Sequence, residues 1–487
     1  MARTDSLPNF LTDVANAIRS KIGETGEIAA SEFDTKINSI EVGTAESIIN
    51  GIVEEYKVAS GGSVSTGDFV KYLNEVGSGS ITNHAIDTTS GNYAAISAVQ
   101  LTDNKIFIAY GKNYSVMGKL AIITKGNVEF STATQLFYNN VAGATLIYQV
   151  SCVKLTDTKV FVAHTNSSNY SMKGEVCTIN SSNAITVGTV TALDTTYHGG
   201  QTISAVALSS SSVFIAHSHQ ASSDYPFLYG MLCTISGTTI TIKKDSQIGG
   251  TYGLANAVSC CKITQNNVDR VVIFHTLCKT STSSENYLYG VVITPSSTSF
   301  TSGTDTVLDN TTSSTSISSV NIDNSRIVVN RITMGLPFLY VCTVSGTTIK
   351  SEGYKTPISL NLDMLSSITK LDDNHIALIH IKSSTNLIYT SICEIDENNN
   401  IISKIDNKMN TQDDSISNYK RAVIIALDNI ILIPNTLTSK NGIYLMTYSD
   451  YFATMVSKIS SAEDSIYGVA TKSGTSGQTI SVVRPNV

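Results

Sequence analysis

The chain has 487 residues, 15% of them charged, and a formal net charge of −7. That acidic balance, with no Lys/Arg cluster, argues against a nucleic-acid partner. Neither a run of about 18 apolar residues nor an apolar leader occurs, so membrane insertion and a signal peptide are not expected.

Residues 8–41 carry apolar side chains at three- and four-residue spacing: Phe10, Leu11, Val14, Ala15, Ile18 and Ile22, then Phe33 and Ile37. This predicts two helices too short to be stable alone, whose apolar faces must bury against another copy or a neighbouring protein. We assign residues 1–45 as an N-terminal helical anchor. Residues 46–78 include the Gly-punctuated β-segment Gly61-Gly62-Ser63-Val64-Ser65-Thr66-Gly67, and 461–487 contain a second one around Gly474 and Gly477. They are expected to be two halves of a small β-module into which residues 79–460 are inserted. Neither carries the Gly-Lys-Ser/Thr of a phosphate loop, so no nucleotide or other cofactor is expected.

The inserted region repeats. A Ser-x-Val-x-Leu run followed by an apolar strand returns at markers Leu101, Leu155, Leu208, Ile263, Ile322, Leu371 and Ile425, which stand 49 to 59 residues apart. Seven copies of a unit of about 54 residues, each holding four short strands A to D, predict a mainly β protein with a seven-bladed β-propeller. Ser97, Ser151, Ser204, Ser259, Ser318 and Ser367 stand four places before their markers, where strands crowd the axis and a small side chain is required. Residues 81–88 resemble strand D of the second unit (Leu193-Asp194-Thr195-Thr196 matches Ile86-Asp87-Thr88-Thr89), yet they precede the first strand A. They are expected to close the last blade and remove its open edge.

Most candidate chemistry reads as packing. Cys152 and Cys260 take slots filled elsewhere by Ala98 and Ala205, and Cys177, Cys233 and Cys393 share one strand position, as small buried hydrophobes do. His164, His217, His275 and His380 end strand B of their units, one per blade, whereas a metal site needs ligands converging on one point. Asp103, Asp157, Asp323 and Asp372 sit in A–B turns, where turn geometry already favours Asp. No metal site and no catalytic set is expected, and the chain reads as a non-enzyme. The long B–C and D–A connections, which emerge on one face, are rich in Tyr, Ser, Asn and Gly, a composition suited to binding sugars or a protein surface. The candidate ligand contacts are Tyr114, Tyr170, Tyr197, His198, Asp224, Tyr225, Tyr252 and Tyr287.

The segment from Asn9-Phe10-Leu11-Thr12-Asp13-Val14 to Ile22-Gly23, with Phe33-Asp34-Thr35-Lys36-Ile37, resembles an N-terminal element of tail and baseplate-associated proteins. Those belong to phages, prophages and phage-tail-like bacteriocins (tailocins) of low-GC Gram-positive bacteria. The closing Ile466-Tyr467-Gly468-Val469-Ala470 and Gly477-Gln478-Thr479-Ile480-Ser481-Val482 is similar to the ends of the same group. The resemblance implies a virion tail fibre or baseplate receptor-binding protein, made in the host cytoplasm and released by lysis. Its expected partners are other virion proteins, further copies of itself, and a host surface polysaccharide or surface-layer protein. A structural decoration or baseplate spacer, and a polysaccharide depolymerase, are the alternatives.

Overall fold

The computed structural model describes residues 52–58, 63–76, 80–124, 127–138, 147–166, 171–194, 199–219, 227–248, 257–278, 286–310, 314–333, 336–355, 363–382, 387–408, 425–427, 430–437, 442–449, 452–458, 468–470, 473–475 and 478–484, together with Thr12 and Asn16. The last two are helical and exposed; the rest of the expected helical anchor lies outside the described residues. Contacts divide the chain into two units, Ser78–Ser449 and Met1–Gly77 with Asp450–Val487.

The larger unit is a β-propeller of four-stranded blades. Its described strands form seven antiparallel sheets in which strands A, B and C pair in chain order. The inner A strands are Tyr93–Thr102, Ile147–Thr156, Gly199–Ser209, Val258–Gln265, Ser314–Asn321, Asp363–Lys370 and Ile425–Leu427. The B strands are Lys105–Lys112, Lys159–Asn166, Ser212–His219, Val268–Cys278, Arg326–Thr333, His375–Lys382 and Ile430–Leu437. C strands follow at Ser115–Thr124, Met172–Ile179, Phe227–Ser236, Asn286–Pro295, Leu336–Ser345, Leu387–Ile395 and Gly442–Ser449. Three outer D strands are unbroken, Thr239–Gln247, Thr348–Lys355 and Ile401–Lys408. Those of the first, second and fourth sheets are split, ending in Thr134–Tyr138, Thr191–Asp194 and Thr306–Asp309. The seventh sheet takes its D strand from Ser80–Asp87, which pairs along Gly442–Ser449 from Ser80↔Ser449 to Asp87↔Ile443. The closing strand expected from the sequence is therefore present.

Burial explains the strand compositions. A B strand has a sheet packed on each face, so Lys105–Lys112 is buried at every position but its two ends. An outer strand faces water, and Thr239–Gln247 buries only Ile240. Phe107, Phe161 and Phe214 fill equivalent places in successive B strands, all fully buried. Beside them the C strands carry Gly118, Gly174, Gly230 and Gly290. A Cβ there would stand 2.8 Å from a methyl of Leu136, 2.8 Å from Leu193, 2.5 Å from Ile248 and 2.8 Å from Leu308. The bare glycine lets an aliphatic side chain of strand D lie flat over the core.

The C–D turns are tight and use left-handed residues, Asn183, Gly237, Gly346 and Asn399, with φ from 59° to 61°. Around the axis, the serine hydroxyls exceed the steric role expected of them. Ser97, Ser151 and Ser204 each accept the backbone N–H of the next sheet's inner strand, at Cys152 (3.1 Å), Ala205 (3.1 Å) and Cys260 (3.0 Å). Cys177, Cys233, Cys342 and Cys393 are fully buried packing residues, as expected, and burial pushes the Cys233 thiol up to about 12.

The smaller unit is a closed barrel with the order Ile52–Val58, Phe452–Lys458, Phe69–Val76, Gly468–Ala470 and Thr479–Arg484. It mixes strands from both flanks, and Ser63-Val64 pairs with Gly474-Thr475, so the two Gly-punctuated segments share one module. Its core is Val58, Val64, Val70, Ala470, Ile480 and Val482. One boundary moves. Phe452–Lys458, expected to belong to a propeller ending at residue 460, pairs antiparallel with residues 70–76 and parallel to Lys57-Val58. The propeller unit ends at Ser449. No Gly or Pro marks that junction, so composition gave no signal there.

Candidate binding face

The B–C turns and the ends of the D strands share one face of the propeller, and the described part of that face is most complete on the first sheet. There Lys112 ends strand B, Asn113 and Tyr114 turn, and Ser115 begins strand C. Asn113 adopts φ of 51°, a conformation that asparagine tolerates better than most residues. Its N–H donates to Asn92 O at 2.7 Å and its Oδ1 accepts Asn92 N–H at 2.8 Å. This double bond to the preceding connection fixes the turn, and Tyr114 projects from it with 42% of its surface exposed. Tyr138, at the end of strand D, pairs with Ser115 and is 53% exposed. The B–C turn and the adjoining end of strand D therefore each present an accessible phenol ring, and between strands C and D the Gln135 amide donates to Ser115 Oγ at 3.1 Å. Rings held this way can stack on the apolar face of a sugar while neighbouring amide and hydroxyl groups bond its rim.

Of the residues expected to bind ligand, Tyr114 takes this position. Tyr287 does not lie in a loop; it is a half-buried member of strand C in the fourth sheet, paired with Leu277. Tyr170, Tyr197, His198, Asp224, Tyr225 and Tyr252 fall outside the described residues, as do Phe10, Leu11, Val14, Ile18, Ile22, Phe33 and Ile37. Tyr138 belongs to a D–A connection, Phe137-Tyr138-Asn139-Asn140, that the sequence assigns to the Tyr-rich face, though it is not among the candidate contacts. The repeat predicted a connection there, and the second D segment carries it into a strand.

Beneath this face lies a layer of buried polar groups. The strand-end histidines are buried: His164, His217 and His275 are at most 1% exposed and His380 is 4% exposed. His164 meets Glu175 at 3.2 Å, His217 meets Asp245 at 3.1 Å and His275 meets Asp305 at 3.0 Å, each within its own sheet. Tyrosines pair with three of them across the B–C ladder: Tyr229 with His217, Tyr289 with His275 and Tyr389 with His380. These pairings tie each B-strand end to its own sheet.

A second set crosses between sheets. Asp87, Asp194 and Asp309 occupy equivalent ends of D strands, just after Ile86, Leu193 and Leu308. Asp87 accepts Tyr110 Oη at 3.0 Å and Lys112 Nζ at 3.0 Å. Asp194 meets His219 Nδ1 at 2.9 Å. Asp309 accepts Arg331 Nη1 and Tyr340 Oη, both at 2.6 Å. Burial raises the Asp87 carboxyl, but hydrogen bonds from Thr89, Lys112 and Tyr110 outweigh it and hold the group at about 2. In the first sheet Phe137 takes the Asp position and lies 4.5 Å, ring to ring, from His164 of the next sheet, with Lys173 Nζ 4.5 Å from its ring centre. Among the described residues no group of three or more His, Cys, Asp or Glu is placed to hold a metal ion.

No family model matches the chain, and no curated protein sequence matches it. Solved structures do. A protein of unknown function from Dyadobacter fermentans shares 9% identity over 76% of this chain and 99% of its own, with a TM-score of 0.44. One from Desulfotomaculum acetoxidans shares 8% over 81% and 100%, at 0.46. A proposed 6-phosphogluconolactonase from Bacteroides fragilis shares 9% over 74% and 98%, at 0.42.

Proposed function

We propose that this chain is a non-enzymatic recognition protein of a phage or tailocin, whose loop face contacts a polysaccharide on a Gram-positive cell surface. The observation that carries the reading is the exposed Tyr114, on a turn fixed by the Asn113–Asn92 clasp, with the exposed Tyr138 at the end of the adjoining D strand. A preordered aromatic shelf loses little side-chain freedom when a sugar stacks on it. The resemblance of the two chain ends to tail and baseplate proteins supplies the setting: assembly on a virion tail or baseplate through the N-terminal segment, and several copies per particle. Weak sites repeated on one particle would then bind tightly together. The same reading takes the propeller as seven-bladed. It is supported by the succession of inner strands, in which Asp363–Lys370 touches Ile425–Leu427 and that strand touches Tyr93–Thr102.

The test is binding of the purified full chain to intact cells and to wall polysaccharide from a panel of low-GC Gram-positive strains. Saturable binding to some strains, lost in the double variant Tyr114→Ser/Tyr138→Ser with the fold intact, is the expected result. Absence of binding even when the chain is multimerised would favour a structural spacer. Release of reducing ends from the glycan would replace the reading with a depolymerase, and hydrolysis of a sugar lactone would replace it with a lactonase.

A further inference from the structure

Three seams of the propeller use one device, and they differ in the cation that fills it. Between the seventh and first sheets the aspartate faces Lys112; between the fourth and fifth it faces Arg331; between the second and third it faces His219. Lys112 and His219 occupy the same register position, two residues beyond Tyr110 and His217. Lysine and arginine stay charged across the physiological range, whereas histidine does not.

We propose that the seam between the second and third sheets is a pH-dependent latch, held by protonated His219 against Asp194 and released when the histidine loses its proton. The inference is independent of what the loop face binds. His219 is well placed for this role. Its side chain is 12% exposed, so protons reach it, while Asp194, 5% exposed, meets it at 2.9 Å. The groups facing His219 from neighbouring elements favour the cation. Asp194 comes from the second sheet's D strand, Asp245 from the third sheet's D strand, and the Tyr229 ring packs 4.6 Å away from strand C. On its own strand, His217 lies 6.4 Å off, ring to ring, and is engaged by Asp245. His219 also pairs through its backbone with Gly199, the first residue of the third inner strand, so the latch stands where the chain passes from one sheet to the next.

The direction follows from the histidine's proton affinity. The hydrogen bond to Asp194 raises it above the ordinary 6.5, burial opposes this, and the charges of Asp194 and Asp245 add to the rise. A raised value in the folded state means the stabilisation is whole below 6.5 and is lost as pH climbs through the raised value. The seam therefore loosens on the alkaline side, while those held by Lys112 and Arg331 do not.

Hydrogen–deuterium exchange of the full chain between about pH 6 and pH 9, scaled for intrinsic exchange, tests this. Protection over residues 191–194 and 212–219 should fall by roughly two- to fivefold across the range relative to 306–309 and 326–333. In His219→Lys the step should disappear. A step that persists in that variant, or equal changes at all three seams, would overturn the latch. Should His219→Lys not fold, His219→Gln carries no charge at any pH and should show low protection throughout; a step surviving there overturns the proposal equally.

Discussion

At the axis, neighbouring sheets meet through neutral contacts that recur with little change. A serine hydroxyl accepts a backbone N–H at 3.0 to 3.1 Å in three successive seams, and Ser259 meets Ser319 at 2.8 Å in the next. At the ends of the D strands the sheets meet through charge, each time with a different cation, and at the first seam through an aromatic ring instead. The inner contacts satisfy backbone groups that any ring of strands must satisfy, so one residue type serves throughout. The outer contacts join side chains that need only neutralise one another, and many combinations do that. Repetition marks what the architecture requires; variation marks where each seam has been tuned separately.

The comparison can be broken most sharply at Asp309. Its removal in Asp309→Ala strands Arg331, fully buried, without its carboxylate, and should cost about 3–5 kcal/mol in urea denaturation. Asp87→Ala should cost clearly less, because Lys112 keeps 17% of its side chain in water. Equal losses would mean that burial of the cation does not set the strength of these seams. Acid offers a second test. Asp87 titrates at about 2 in the fold against an ordinary 3.8, so its contribution is complete above 3.8 and disappears as pH falls through the lower value. An acid titration followed by exchange should loosen the seventh-to-first seam in that window, and Asp87→Asn should abolish the step. At the axis, Ser204→Ala and Ser151→Ala should each cost about 1 kcal/mol, the worth of one backbone hydrogen bond. Matching losses would confirm that the inner contacts are interchangeable. Smallest of all, Lys262→Met removes bonds to Leu208 O and Asp269 at a half-exposed site and should change stability by less than about 1 kcal/mol in the same denaturation assay.

The same contrast explains what could be read in advance. The period, the four-strand unit, the serines near the axis and the strand that closes the last sheet are all properties of repetition, and each leaves a mark at fixed spacing. The Asp87 and Asp194 seams left only half a mark. The Ile-Asp-Thr-Thr and Leu-Asp-Thr-Thr matches revealed the D strands, but the partners Lys112 and His219 stand in the following sheet at positions without a common residue. The histidines were legible as a series but their partners were not, because the acids, Glu175, Asp245 and Asp305, lie on different strands or connections. Tyr114 was found through loop composition; Tyr138, counted from composition in a D–A connection of the same face, ends a strand instead.

The closing strand also sets a schedule. His84 contacts Thr447, 363 residues later, so Ser80–Asp87 leaves the ribosome long before its partner exists. At about 5–20 residues per second the wait is on the order of 20–70 seconds. Throughout it, an eight-residue strand with open edges is exposed to every other nascent chain nearby. Its polar sequence, Ser-Ile-Thr-Asn-His-Ala-Ile-Asp, is well suited to that delay, since it offers little to a wrong partner until the last hairpin is made.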